Sequence, residues 1–263
     1  GQRIVRRPKG VGELSDAYFV GETEKIGTAK IEGADYQLEA RKIAVILPVS
    51  EEFLTYTWSA YFDQVVPLIV DKFNKKIDGA AFLGLHGNPF GGADQAGNVL
   101  AAAIAAGNIV DGDLTTENIY DLEDLPVRQP NAFVGNRIIN RDLRGLTDGT
   151  TVERIFERPA NPAANGSLDG LPYAQLQLAD GQDYPEGTLL TGNFNSLRYG
   201  IPNTASLRLK IADQATLSTI QNAGDETGDV HLFEQDMQAL RAVYEIAVAV
   251  PNNGDFAVLR TEA

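Results

Sequence analysis

The sequence has no cysteine, only two histidines and few basic side chains, with 22 lysines and arginines against 36 aspartates and glutamates in 263 residues. Without cysteine there is no disulfide framework, thiolate metal site, thiol nucleophile or iron–sulfur cluster, so stability must come from packing or association. No apolar stretch approaches the ~20 residues that a bilayer crossing requires. The opening Gly1-Gln2-Arg3-Ile4-Val5-Arg6-Arg7-Pro8-Lys9 contains no hydrophobic run that would make a signal peptide. The chain therefore reads as soluble, intracellular in origin and without a membrane partner. A formal charge of −14 repels phosphate backbones and argues against ordinary sequence-specific nucleic-acid binding. Gly1 in place of methionine fits either initiator removal before a small residue or processing of a longer precursor.

Catalytic signatures are equally scarce. His86 and His231 are 145 residues apart with no HExxH-like spacing, which gives no support to a zinc or non-haem iron site. No serine lies in a G-x-S-x-G elbow, and there is neither a phosphate-binding G-x-x-x-x-G-K-[ST] loop nor a G-x-G-x-x-G fingerprint. Carboxylate pairs such as Glu123/Asp124 and Asp225/Glu226 could do acid–base work, but on an acidic chain they read first as solvated faces. Asn165-Gly166-Ser167 matches the glycosylation pattern without a secretory signal to make it meaningful. These absences predict a chain with no catalytic residue, no metal site and no cofactor.

What is present is a 43% hydrophobic composition, enough for one large domain or two small ones. Residues 21–47 are polar and glycine-containing in the middle, flanked by Tyr18-Phe19-Val20 and by a period-two alternation through Tyr36, Leu38, Ile43, Val45 and Leu47. This predicts a long hairpin or extended loop that recovers its ordering entropy only against a partner. Ser50 can cap a following helix, with Glu51 and Glu52 at its positive end. An apolar ladder through Phe53/Leu54, Thr57/Trp58, Tyr61/Phe62, Val65/Val66, Ile69/Val70, Phe73 and Ile77 predicts helix over 51–78, kinked at Pro67 and followed by Gly79. Such a helix is ~42 Å long, against a radius of gyration of ~18 Å for a compact body of this size, which suggests a flat or elongated body with the helix as its spine.

Downstream, glycines between 84 and 97 mark a mobile loop, and a short helix starts at Thr115 or Thr116 and buries Ile119, Leu122 and Leu125. Asn131–Gly135 reads as a buried strand, 138–146 as a helix ended by Gly149, 173–178 as a strand and 207–211 as a half-buried strand. The stretch 232–250 is ambiguous between helix and strand, and 256–259 is a final strand. Strands and helices alternate in the middle, which implies a mixed α/β layer. The one concentrated basic feature is Arg3, Arg6, Arg7 and Lys9, either a cationic arm lying on an acidic neighbour or nucleic acid, or a solvated terminus.

In this order these elements resemble the major capsid protein family of tailed bacteriophages, with the Hong Kong 97-like fold. The resemblance rests on GETEKIGTAKIEGADYQLEARKIAVILPVSEEFL (21–54), KFNKKIDGAAFLGLHGNPFG (72–91), AFVGNRIINRDLRGLTDGTT (132–151), GLPYAQ with LLTGNF and YGI (170–201), and FEQDMQALRAVYEIAVAVPNNGDFAVL (233–259), which together span about residues 18–260. It implies an α+β fold with an N-terminal arm (1–17), an extended hairpin loop (18–49), a peripheral domain carrying the spine helix (50–112 and 191–245) and an axial domain (113–190 and 246–263). It further implies a non-enzymatic protein that self-assembles through hexamers and pentamers into the icosahedral head of a virion. Double-stranded DNA would be held by enclosure only, with scaffold, portal and decoration proteins as candidate further partners and assembly in the host cytoplasm. The implied inter-subunit contacts are Arg3, Arg6, Arg7, Glu22, Glu24, Lys25, Lys30 and Glu32. In members that form isopeptide cross-links a hairpin lysine joins a neighbour's asparagine with help from a glutamate. Here Lys25 falls near the lysine, but Asp236 and Val243 stand for the other two. A carboxylate cannot lose ammonia and valine cannot take a proton, so a noncovalent shell is expected. Two other readings are an encapsulin compartment shell and a small-molecule hydrolase using His86 or His231.

Overall fold

A computed structural model describes residues 4–8, 25, 35–92, 96–146, 155–157, 166–179, 183–185, 187–202, 207–218 and 230–260. In chain order the elements are β1 (Ile4–Pro8), β2 (Asp35–Glu39), β3 (Arg41–Ser50), α1 (Glu51–Leu83), α2 (Val99–Ala106), β4 (Ile109–Asp111), α3 (Thr116–Asp124), β5 (Ala132–Gly135) and α4 (Arg137–Leu143). There follow β6 (Phe156–Glu157), β7 (Gly166–Leu168), β8 (Leu171–Gln175), β9 (Leu189–Gly192), β10 (Arg198–Gly200), β11 (Arg208–Ala212), β12 (Thr216–Leu217), β13 (Val230–His231), β14 (Met237–Ala249) and β15 (Phe256–Arg260). They fall into two compact units, one of residues 41–78 and 201–246 and one of residues 1–40, 79–200 and 247–263.

In the first unit, β14 runs antiparallel between β3 and β11, with Leu47 opposite Leu240, Val45 opposite Ala242 and Ile43 opposite Tyr244. The period-two alternation thus puts one apolar row on one sheet face, where it packs against Val65, Ile69 and Phe73, spaced four apart on α1. The segment 237–249, ambiguous as sequence, is strand because β3 offers it a ten-residue ladder. The Glu51 N–H, orphaned at the helix start, donates to the Asp236 carbonyl at 3.0 Å. The helix passes through Pro67 and through Gly79, the expected end. A Cβ on Gly79 would stand 3.2 Å from Leu85 and 3.3 Å from Leu178, so the missing side chain serves close packing and not termination. Gly84, with φ +69°, follows the last helical residue. Strand β11 departs from the half-buried expectation: all five residues are exposed, because it is laddered to β14 and the α1 core is filled by residues of β3 and β14.

The second unit holds a seven-stranded mixed sheet in the order β4-β15-β9-β5-β8-β7-β6. Alternate residues of its central strands enter different cores. Phe133, Leu189, Ala257 and Leu259 face α3 and α4 through Ile119, Leu122, Ile139 and Leu143, while Val134, Leu190, Phe256 and Val258 pack with Val99, Ala102 and Ala103 of α2. Burial on both faces explains why these strands are continuous apolar runs. Asn side chains cap the helices: Asn98 accepts from the Ala101 N–H at 2.7 Å and Asn136 from the Ile139 N–H at 2.8 Å. Thr115 caps α3 in the same way, at the position the sequence indicated. Gly135 lies against the ring of Tyr173, whose hydroxyl donates to the Asn136 carbonyl at 2.8 Å. In the same unit β1 pairs antiparallel with β2, so residues 4–8 are not a frayed terminus but a strand. Leu38 packs with Ala247 and Ala249, next to the pairing of β10 with the end of β14.

Candidate assembly surfaces

The contact residues expected from the sequence fall mostly outside the described residues: Arg3, Glu22, Glu24, Lys30 and Glu32 do so entirely. Arg6 and Arg7 lie on β1 opposite Gln37 and Tyr36, and Lys25 is exposed outside regular structure. Asp236 occupies an exposed turn with φ +51°, and Val243 is buried opposite Ala44 and Arg208.

The unit of 41–78 and 201–246 instead carries two surfaces that the sequence alone did not expose. On the sheet face away from α1, Lys42, Arg208, Lys210 and Arg241 surround a hollow of about 150 Å³ with Val243 and Glu245. The register places Lys210 directly opposite Arg241, a like-charge pair that is destabilising across a ladder. Glu245 lies opposite Lys42 and is ion-paired with Arg208, which leaves Lys210 and Arg241 without a carboxylate partner among the described residues. The alternation at 207–211 already displayed Arg208 and Lys210 on one side, but only strand register shows that Lys42 and Arg241 share it. On the other face, an apolar groove of about 430 Å³ runs between β3 and α1, lined by Ile43, Val45, Leu47, Val65, Leu68, Ile69 and Phe73 with Lys72 and Lys76.

Large apolar side chains also stand in solvent, among them Phe233, Val127, Tyr199 and Leu68. Scattered singly they would mean little, but an 80%-exposed phenylalanine on a structured turn is unusual for a surface that touches only water.

Buried polar groups have structural settings. Asp255, 2% exposed, accepts from the Ser196 hydroxyl, and Arg128 lies 3.5 Å from that hydroxyl and 3.8 Å from the carboxylate, which ties the 193–196 turn to the start of β15. The Oε1 atom of Glu123 is buried with no hydrogen-bond partner among the described residues. Burial, with lesser contributions from Asp169 and then Asp124, pushes its carboxyl up from 4.5 to about 7. Burial also raises Asp78. Both histidines are exposed, and the Thr216 hydroxyl lies 3.0 Å from His231 Nδ1. Among the described residues no three His, Asp or Glu side chains are grouped to hold a metal ion, and no helix is long and apolar enough to cross a membrane.

The two mixed helix-and-sheet units thus present, as their distinctive features, charged and apolar surfaces suited to contact with other chains. The chain belongs to the phage capsid family, whose sequence model matches residues 4–261. It is 39% identical over 246 residues, 92% of this chain and 71% of the relative, to the major capsid protein of Staphylococcus phage 80alpha. Among solved structures it is similar to a chain of Microbacterium phage Oxtober96 (TM-score 0.71, 23% identity, 98% of this chain and 86% of that one). It is also similar to one of Mycobacterium phage Cain (TM-score 0.72, 20% identity, 99% and 86%). A third similar structure is described as the capsid of an empty GTA particle computed with C5 symmetry (TM-score 0.67, 16% identity, 99% and 85%). The role of the chain is accordingly that of a major capsid protein of a tailed phage, a structural component of the virion. None of these similarities points to an encapsulin or a hydrolase.

Proposed function

We propose that copies of this chain self-assemble in the host cytoplasm, through hexamers and pentamers, into the closed icosahedral head that encloses double-stranded DNA. The observation that carries this reading is the family match over residues 4–261, nearly the whole chain. The apolar side chains left in solvent add support, since burial between copies would remove them from water. The part of the 18–49 hairpin loop that precedes β3 lies over a neighbour and the arm of 1–17 extends the contact, while β3 itself stays laddered to β14 of its own chain.

The peripheral assignment of 50–112 and 191–245 is supported over 50–78 and 201–245 by the single sheet-and-helix body that α1, β3, β11 and β14 build, whereas 79–112 and 191–200 belong to the other compact unit. The axial assignment of 113–190 and 246–263 is supported by the seven-stranded sheet, to which β4 and β9 also contribute. Asp236 and Val243 supply neither the amide that leaves as ammonia nor the proton-accepting glutamate of the cross-linking members, so area and symmetry hold the shell. A chain of charge −14 repels the DNA it surrounds, which favours enclosure without adhesion. Purified particles treated with nuclease test the reading: protected double-stranded DNA inside supports a phage head, and a packaged enzyme without DNA contradicts it.

A further inference from the structure

Among the described residues, the unit of 41–78 and 201–246 carries an aromatic side chain without a pocket and an apolar groove without an occupant. Phe233 is 80% exposed and flanked by exposed Glu234 and Asp236. Its turn is well fixed: Leu232 is fully buried, Gln235 N–H donates to the His231 carbonyl, Met237 N–H donates to the Leu232 carbonyl, and the Asp236 carbonyl accepts from Glu51. The ring is therefore presented to solvent at little further ordering cost. The groove between β3 and α1, about 430 Å³, is within the size range of sites that bury an aromatic anchor, and Lys72 and Lys76 lie among its lining residues.

We propose that this groove receives Phe233 of a second copy, with Glu234 and Asp236 set against Lys72 and Lys76. The inference rests on the self-assembly reading above and names one contact within it. The charges are complementary, acidic beside the ring and basic beside the groove, which fixes the register of docking. The chain cannot fill its own groove with this ring. Val45 in the groove wall is paired with Ala242, five residues along β14 from Met237, roughly 17 Å at the rise of an extended strand. Phe233 lies beyond that end. Turn and groove are different surfaces, so the contact is head-to-tail, and repeated contacts of that kind close into rings when the rotation allows. An aromatic anchor packed into a desolvated pocket is also the arrangement from which interface hot spots are made.

The absence of cysteine makes the test clean. A full-length chain carrying Phe233→Cys and Leu68→Cys can form disulfides between copies only where the two backbones approach within about 7 Å. After assembly and oxidation it is expected to give a ladder of linked multimers on a non-reducing gel, whereas either single substitution gives dimers at most. In parallel, Lys76→Glu should lower particle yield about tenfold or more, and adding Glu234→Lys should restore it. Particles that form normally but yield no multimer ladder, or a charge exchange that restores nothing, overturn the docking and leave the shell reading standing. A wild-type chain that forms no particles overturns the shell reading and the docking with it.

Discussion

Glu123, near the end of α3, should make the subunit less stable as pH rises through the neutral range. The folded carboxyl holds its proton to about pH 7, whereas the unfolded chain releases it near 4.5. Below 4.5 both states are protonated and the group has no effect. Between 4.5 and 7 the unfolded state sheds a proton that the folded state keeps, so stability falls across this window and then levels off. At ~1.4 kcal/mol per tenfold change in proton affinity, the full displacement sets a ceiling of roughly 3 kcal/mol. Solvent reaching this partly exposed carboxylate reduces it to about 1–2 kcal/mol.

Glu123→Gln keeps the shape and removes the charge. Urea unfolding of unassembled subunits, followed by far-ultraviolet circular dichroism at pH 4.5, 6, 7 and 8, should show the two proteins nearly equal at the lowest pH. At pH 8 the variant should be more stable by about 1–2 kcal/mol. Asp78, also raised by burial, contributes with the same sign in both proteins and cancels from the difference. A gap independent of pH, or a variant that is the weaker protein at pH 8, would refute the assignment of this carboxyl as a buried, unsatisfied group.

Three further perturbations probe other parts of the account. Gly135→Ala places a methyl 2.6 Å from the Tyr173 hydroxyl, which must then leave the Asn136 carbonyl; a loss of about 1–3 kcal/mol in urea unfolding is expected. Asp255→Ala strips Ser196 and Arg128 of a buried carboxylate and should lower stability by about 3 kcal/mol, seen as a fall in the thermal midpoint, while Asp255→Asn should lose less. Lys210→Glu turns the like-charge pair with Arg241 into an opposite-charge one and should stabilise the subunit by roughly 0.5 kcal/mol, an effect that fades in high salt.

The elements that could be read from the sequence are those whose period or punctuation is local. The four-residue ladder through Val65, Ile69 and Phe73 revealed α1, and Thr115 marked the start of α3. Helix α2 was missed because Val99-Leu-Ala-Ala-Ala-Ile-Ala-Ala is apolar all round and shows no stripe; its local signals were Asn98 before it and Gly107, with φ +76°, after it. The run 237–249 stayed ambiguous because the competing periods overlap, and a distant strand decided it. Leu209 and Ile211 alternate as a half-buried strand would, yet burial depends on what covers them, which no local pattern encodes. The same limit hid both surfaces of the 41–78 and 201–246 unit. Lys42 and Arg241 are 199 residues apart and share a face only through the β3–β14–β11 register, and the groove joins β3 to the far half of α1. The capsid reading itself came from the order of whole segments and not from any one residue.

The central claim is that this chain is a tile of a closed shell, and sedimentation of the purified full-length protein with electron microscopy of the heaviest fraction tests it most directly. The account predicts megadalton particles of uniform diameter with five-fold vertices. A stable monomer or dimer at every concentration would contradict it.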